Sequence, residues 1–275
     1  MAGMLYLVPT PIGNLGDISQ RCRETLEQAD FIAAEDTRVS LKLLNHLDIR
    51  KSLVSYYEHN KAFKGEKIVE RILAGETCAL VSDAGSPAIS DPGEDLVKLC
   101  HEAGIVVCAI PGPCAAITAL SISGQATGRF CFEGFLSTAK KSRREHLESL
   151  AKEQRTMIFY EAPHKLLTTL QDMAAVFGED RPISLCRELT KLHEEVVRST
   201  LGEAVEKYTQ NAPKGEFVLI VAGAPEEEKE VASEEDAAAR VQQLMDEGMS
   251  RKDAVKQTAK ELNLSKNVVY DAALK

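Results

Sequence analysis

Short, uninterrupted apolar runs recur through the first 112 residues, at 4–8, 31–34, 53–57, 77–81 and 105–110, each followed by an amphipathic stretch. Runs this short and this uniformly apolar suit strands buried on both faces. Alternating with helices, they call for a parallel sheet covered on both sides. Helix-start signals agree. Asp17 and Gln20 read as a capping pair ahead of Cys22, Leu26 and Ala29. Asp91 precedes Pro92 at an expected first helical position, and Gly104 closes that helix. The spacing predicts an α/β domain over residues 1–112.

Residues 113–224 repeat the theme with runs at 130–132, 156–160, 183–186, 196–200 and 217–221. Fewer helical stretches lie between them, which predicts a second α/β domain with a mixed sheet, its strand order open. Residues 225–236, PEEEKEVASEED, carry seven acids and one base and read as a solvated linker. Three short helical patterns follow, making residues 225–275 a linker and a small helical domain. Ser250 and Asp253 cap the second helix, whose face holds Ala254, Thr258, Ala259 and Leu262. Asn263-Leu264-Ser265 is a tight turn, and Ser265 caps a last helix with Val268, Val269 and Ala272. Helix, short turn, helix is the helix-turn-helix pattern. Residues 250–275 hold six bases and three acids in a chain of net charge −9, so this end is the one that favours anionic polymers.

That overall charge excludes a protein coated with phosphate-binding side chains. With 44% hydrophobic and 27% charged residues the chain is neither disordered nor membrane-enriched, and no apolar run approaches the ~20 residues of a span. The N-terminus lacks a signal-peptide pattern. Seven cysteines without a C-x-x-C pair, most of them in apolar runs, read as reduced thiols in the cytoplasm.

Four loops combine special backbone residues with a position after a strand, the edge where open α/β sheets bind ligands. They are 9–17 (PTPIGNLGD), 82–87 (SDAGSP, continuing to Asp91-Pro92-Gly93), 111–116 (PGPCAA) and 159–164 (FYEAPH). Each alone is equally well a structural turn, the third a hinge, and His164 a structural histidine. Neither G-x-G-x-x-G nor G-x-x-x-x-G-K-[ST] is present.

Taken in order, LYLVPTPIGNLGDIS, AAEDTR, VSDAGSPAISDPG, IPGPCAAITAL, RFCFEGFL and IFYEAPHKL resemble the ribosomal RNA small subunit methyltransferase I family, of the tetrapyrrole methylase-like superfamily. The resemblance extends from about residue 4 through the C-terminal helices. It implies two α/β domains with S-adenosylmethionine in the cleft between them, plus the helix-turn-helix domain. It also implies a homodimer that 2′-O-methylates a cytidine ribose in the decoding region of 16S rRNA, on the rRNA or the 30S subunit. Motif by motif, Ile12, Ala84, Gly85, Ser86, Ile89, Cys114 and Ala115 would hold the donor, with Glu161 and Leu189 closing it from the second domain. Tetrapyrrole methylases often carry G-D-P where this chain has Gly85-Ser86-Pro87.

Transfer of a methyl group from a sulfonium needs alignment and the removal of one proton, and no metal. Asp36 or His59, at strand ends of the donor edge, are candidate bases, with Arg38 on a phosphate; a structural Asp36–Arg38 ion pair is the competing reading. Lys140, Lys141, Arg143 and Arg144, a dense basic run, and Arg251, Lys252, Lys256, Lys266 and Asn267 of the helix-turn-helix are candidate RNA contacts. A small-molecule tetrapyrrole methylase would need neither basic element, and a DNA-binding regulator would need no large cleft.

Overall fold

The computed structural model describes residues 3–225, 233–262 and 264–274. The chain divides into two compact units, Met1–Ala224 and Pro225–Lys275. Two five-stranded sheets lie within the first.

The first sheet contains β1 (Met4–Leu7), β2 (Phe31–Ala34), β3 (Ser52–Ser55), β4 (Cys78–Val81) and β5 (Val106–Ala109), with α1 (Gln20–Gln28), α2 (Thr37–His46), α3 (Lys61–Leu73) and α4 (Gly93–Glu102) between them. All pairings are parallel, in the order β3-β2-β4-β1-β5. The predicted runs are these strands. β2 and β4 are buried at every position because both faces are covered. Cys22 and Leu26 of α1 and Leu44 of α2 pack with Ile32, Ala34, Ala79 and Val81 on one face. Ile68 and Ile72 of α3 and Leu96 and Cys100 of α4 pack with Phe31, Ala33, Cys78 and Leu80 on the other. β1 and β4 are neighbours whose following helices leave to opposite faces, and such a reversal opens a crevice at the strands' C-terminal ends.

Two expected caps differ in detail. Ser19, not Asp17, caps α1, accepting from Cys22 N–H; Asp17 belongs to a single 3-10 turn, Leu15–Asp17. Asp91 accepts from Gly93 N–H, but Pro92 occupies the cap position and the helix begins one residue later than expected.

The second sheet contains β6 (Phe130–Phe135), β7 (Thr156–Glu161), β8 (Pro182–Arg187), β9 (Glu195–Thr200) and β10 (Phe217–Val221), in the order β6-β7-β10-β8-β9. It is mixed, as expected: β6 and β7 are parallel and the remaining pairs antiparallel. Three helices, α6 (Lys140–Ser149), α7 (Pro163–Phe177) and α8 (Leu201–Gln210), cover one face around Leu147, Leu166, Leu170, Met173 and Leu201. The other face receives α5 (Ala115–Ser123), whose Ala116, Ala119 and Leu120 pack on Ile158, Cys186, Val218 and Ile220. α5 is thus part of the second sheet's core although it starts at the end of the first sheet's last loop. Phe159 is fully buried on the face covered by α6, α7 and α8, and truncating it to alanine would cost about 3–5 kcal/mol.

The second unit has its own core. α9 (Glu234–Asp246), α10 (Arg251–Glu261) and α11 (Lys266–Ala272) bury Ala237, Val241, Leu244, Ala254, Val255, Ala259, Val269 and Ala272 together. Ser250 and Ser265 cap α10 and α11 as expected. The expected linker is shorter than its charge suggested. Ser233 and Asp236 form a capping box, so Glu234, Glu235 and Asp236 are the first turn of α9, where negative charge complements the helix dipole. The rest of the acidic stretch, 226–232, lies outside the described residues, as does Asn263.

Candidate active site

The crevice at the C-terminal ends of β1 and β4 opens into a cleft of about 510 Å3, walled by loops of both sheets. Its first-sheet wall is built by cross-ties among the three Pro/Gly loops. Thr10 and Gly85 exchange backbone hydrogen bonds, each 3.0 Å, joining the loop after β1 to the loop after β4. Thr10 also donates its hydroxyl to Ser82 O at 3.2 Å. Ser86 Oγ donates to Pro113 O at 2.9 Å, joining the second loop to the third. Gly112 lies so close to Pro9 that a Cβ there would sit 2.7 Å from the proline's Cβ. Gly85 adopts φ +81°, and its missing Cβ would approach Ile12 Cγ2 at 3.3 Å. A side chain at Gly85 would therefore be strained and would intrude on the cleft floor.

In the second loop Ala88 (φ +66°) and Ser90 (φ +64°) are both left-handed, a conformation that costs non-glycine residues energy. Asp91 holds this turn by accepting from Ala88 N–H and Gly93 N–H, and Ile89 is displayed between the two strained residues, half exposed in the cleft.

The opposite wall comes from the second sheet. Tyr160 accepts a hydrogen bond from Ala116 N–H, tying β7 to the start of α5, and burial pushes its hydroxyl up to about 12. Phe132 and Phe135 both pack on the Tyr160 ring, at centroid distances of 5.1 and 5.4 Å. Both reach it because the β6–β7 register shifts between Phe132 and Gly134, leaving Glu133 as an extra residue. After β8, Glu188 and Thr190 are again left-handed. Lys191 Nζ bridges Glu188 Oε1 and Glu216 Oε2, 2.8 Å to each, and the lysine's hydrogen bond holds the Glu188 carboxyl below its ordinary range. This loop abuts the loop after β1: a Cβ on Gly13 would lie 2.5 Å from Lys191 Cγ.

All nine residues expected at the donor line this cleft: Ile12, Ala84, Gly85, Ser86, Ile89, Cys114, Ala115, Glu161 and Leu189. Glu161 is buried, and its carboxylate accepts from Ala162 N–H and the Thr169 hydroxyl, so it shapes the wall rather than facing solvent. Cys186, read with the other cysteines as a reduced thiol, also lines it.

The expected catalytic trio is not brought to the cleft. Asp36 caps α2, accepting from Arg38 N–H at 2.8 Å, and chelates the Arg38 guanidinium at 3.0 and 2.6 Å. Those Arg38 hydrogen bonds hold the Asp36 carboxyl at about 2, which makes it a weak base. The structural ion pair is the reading the geometry favours. Arg38 itself is exposed, and His59 is exposed with its ring edge-on to Tyr57. Glu35 occupies the place expected of Asp36. It lines the cleft with Asp83 and Asp91, and burial, followed by the charges of those two aspartates, raises its carboxyl above the usual range. One residue of chain direction separates Glu35 from Asp36: the aspartate's short side chain suits an N-cap before Thr37, and that cap signal was legible.

Among the basic residues, Arg143 differs from its neighbours: it is buried, pairs with Asp172 at 2.7 Å and donates to Ser137 O and Thr138 O, so it pins α6 to α7. Its spacing of four from Leu147, on the buried face of α6, carried that signal. Lys140, Lys141 and Arg144 are exposed on the same helix, which begins five positions after cleft-lining Phe135. In the second unit, Arg251, Lys252, Lys256, Lys266 and Asn267 are exposed.

A parallel sheet and a mixed sheet, with a loop-built cleft between them, define a methyltransferase of the tetrapyrrole methylase class. The family model described as Tetrapyrrole (Corrin/Porphyrin) Methylases matches residues 4–205, and that of the RsmI C-terminal HTH domain matches residues 231–275. The chain belongs to the ribosomal RNA small subunit methyltransferase I family. Relatives of that name are 49% identical in Synechocystis sp. (99% of this chain, 98% of the relative), 46% in Escherichia coli O157:H7 (99% and 95%) and 47% in Bacillus subtilis (98% and 94%). The fold is shared with a uroporphyrin-III C-methyl transferase of Thermus thermophilus complexed with S-adenyl homocysteine, at TM-score 0.58 and 15% identity over 80% of this chain and 97% of that one. A diphthine synthase is similar at TM-score 0.61 and 14% identity, over 80% and 90%.

The methyl donor of this enzyme is S-adenosylmethionine, and the residues present fit it. The glycine floor at Gly85 admits a ligand against the main chain, the walls are largely apolar, and Asp83 and Asp91 provide an acidic rim suited to a cationic sulfonium.

Proposed function

We propose that this enzyme 2′-O-methylates a cytidine ribose in the decoding region of 16S rRNA, acting as a cytoplasmic homodimer on the rRNA or the assembled 30S subunit. The observation that carries the reading is the convergence of nine motif residues from separate loops on one cleft, with an exposed basic helix beginning five positions past its rim. The donor supplies an activated methyl group on a positively charged sulfur. Ile12, Ala84, Gly85, Ser86, Ile89, Cys114, Ala115 and Leu189 hold it, and Glu161 braces β7 behind it. Holding donor and ribose in line is the larger part of the protein's work, since positioning alone can contribute several kcal/mol. Lys140, Lys141 and Arg144 supply phosphate contacts, and the exposed lysines and arginine of the second unit supply others.

Incubating 30S subunits from a strain lacking the enzyme with labelled S-adenosylmethionine, then mapping the product, tests the assignment. A methylated cytidine ribose at the decoding site is expected. Label on a porphyrinogen acceptor and none on subunits would overturn it in favour of a small-molecule methylase.

A further inference from the structure

The cleft contains more carboxylates than donor binding requires, and most of them hold its walls and loops in place. Asp83 Oδ1 accepts from Asp36 N–H at 3.0 Å. Asp91 accepts from two backbone amides, Glu161 from an amide and a hydroxyl, and Glu188 and Glu216 share Lys191. The Tyr160 hydroxyl is occupied by Ala116 N–H and raised to about 12, too weakly acidic to exchange protons near neutrality. Glu35 is half-buried, follows directly on β2 and lines the cleft, and its carboxylate accepts from Asp83 N–H.

We propose that Glu35 is the base that removes the acceptor hydroxyl's proton during methyl transfer. The proposal rests on the hydroxyl-acceptor reading above. The acceptor oxygen forms a bond to the methyl carbon as the carbon–sulfur bond breaks with its electron pair left on sulfur. The hydroxyl proton passes to a Glu35 carboxylate oxygen and from there to water. No other reactant is needed, and the sulfonium charge is cancelled in the same step. The groups facing Glu35 are Asp83 and Asp91 of the loop after β4 and Asp36 beside it in the chain, all anionic. Together with burial they raise its proton affinity, and only the Asp83 backbone N–H opposes them. A base needs this bias, because a carboxylate of ordinary acidity accepts protons poorly at neutral pH.

The test combines Glu35→Gln with the wild-type enzyme, on 30S subunits and in single turnover. Glu35→Gln should lower the methylation rate by about 100-fold or more. Its S-adenosylmethionine affinity by calorimetry should stay within threefold of wild type, which also shows that it is folded. Carboxyl 13C NMR of the donor-free wild-type protein should show one glutamate titrating above the ordinary range, absent from the variant. Wild-type label that resists alkali as a ribose methyl, with Glu35→Gln within threefold of the wild-type rate, would overturn the assignment of the base alone. A wild-type label on the base rather than the ribose would overturn the hydroxyl reading and this inference with it. Should Glu35→Gln fail to fold, the NMR titration decides: a Glu35 carboxyl of ordinary acidity refutes the proposal.

Discussion

Ser86 donates its hydroxyl to the Pro113 carbonyl oxygen at 2.9 Å, clamping the loop after β4 to the loop after β5. This serine serves the protein's own architecture. Ser86→Ala should loosen the clamp by about 1 kcal/mol, the usual net worth of such a bond. Calorimetry should show donor binding about fivefold weaker. Gly85→Ala should do more, because it adds left-handed strain and a Cβ against Ile12; loss of measurable donor binding is expected with the protein still folded by circular dichroism.

Arg143 and its helix neighbours should separate cleanly. Arg143→Ala leaves Asp172 with an uncompensated charge in a largely buried position, so urea unfolding should show a loss of about 3 kcal/mol. Lys141→Ala and Arg144→Ala remove exposed groups whose pairs with Glu145 and Glu148 are surface contacts, so stability should hold within about 0.5 kcal/mol. Their effect should appear in RNA binding, with the slope of log affinity against log salt falling by about 0.7–0.9 per removed contact.

Glu35 also makes a stability prediction that involves no substrate. Its folded carboxyl is raised above the unfolded value, so the folded state binds the proton more tightly. Wild-type stability should therefore decline as pH rises from about 4.5 through the raised value. Glu35→Gln removes that penalty. Its melting temperature should exceed wild type at pH 7, and the two should converge near pH 4. A variant less stable than wild type at pH 7 would show that the carboxylate is structurally required.

The C-terminal unit has its own core, so removing residues 231–275 should leave the sheets intact. Donor affinity should be unchanged, while binding to 30S subunits weakens and becomes less salt-dependent. Equal subunit affinity before and after truncation would show that its exposed Arg251, Lys252 and Lys266 serve another purpose.

Much of this architecture was legible in the sequence, for definite reasons. Ile32 to Ala34 and Cys78 to Val81 had to be strands buried on both sides, because neither stretch offers a polar face. The three Pro/Gly loops were legible as ligand loops only jointly. What escaped was decided by direction. Glu35 and Asp36 are adjacent acids at a strand end, and local capping chemistry turned the second away from the cleft. Arg143 belonged to a basic run by composition but to a core by periodicity. The Glu188–Lys191–Glu216 network joins segments 25 residues apart through left-handed backbone at Glu188 and Thr190, which no residue type there announced.

The extra residue in β6 has a consequence of counting. In an unbroken strand Phe132 and Phe135 would face opposite sides; because Glu133 is looped out of register, both stack on Tyr160 while Glu133 itself reaches His146 of α6 at 2.9 Å. The aromatic wall thus depends on the register of β6 as much as on its residues. Drawing Glu133 into regular pairing would turn Phe135 away from Tyr160, whereas deleting Glu133 would keep both rings on it and cost the contact to His146.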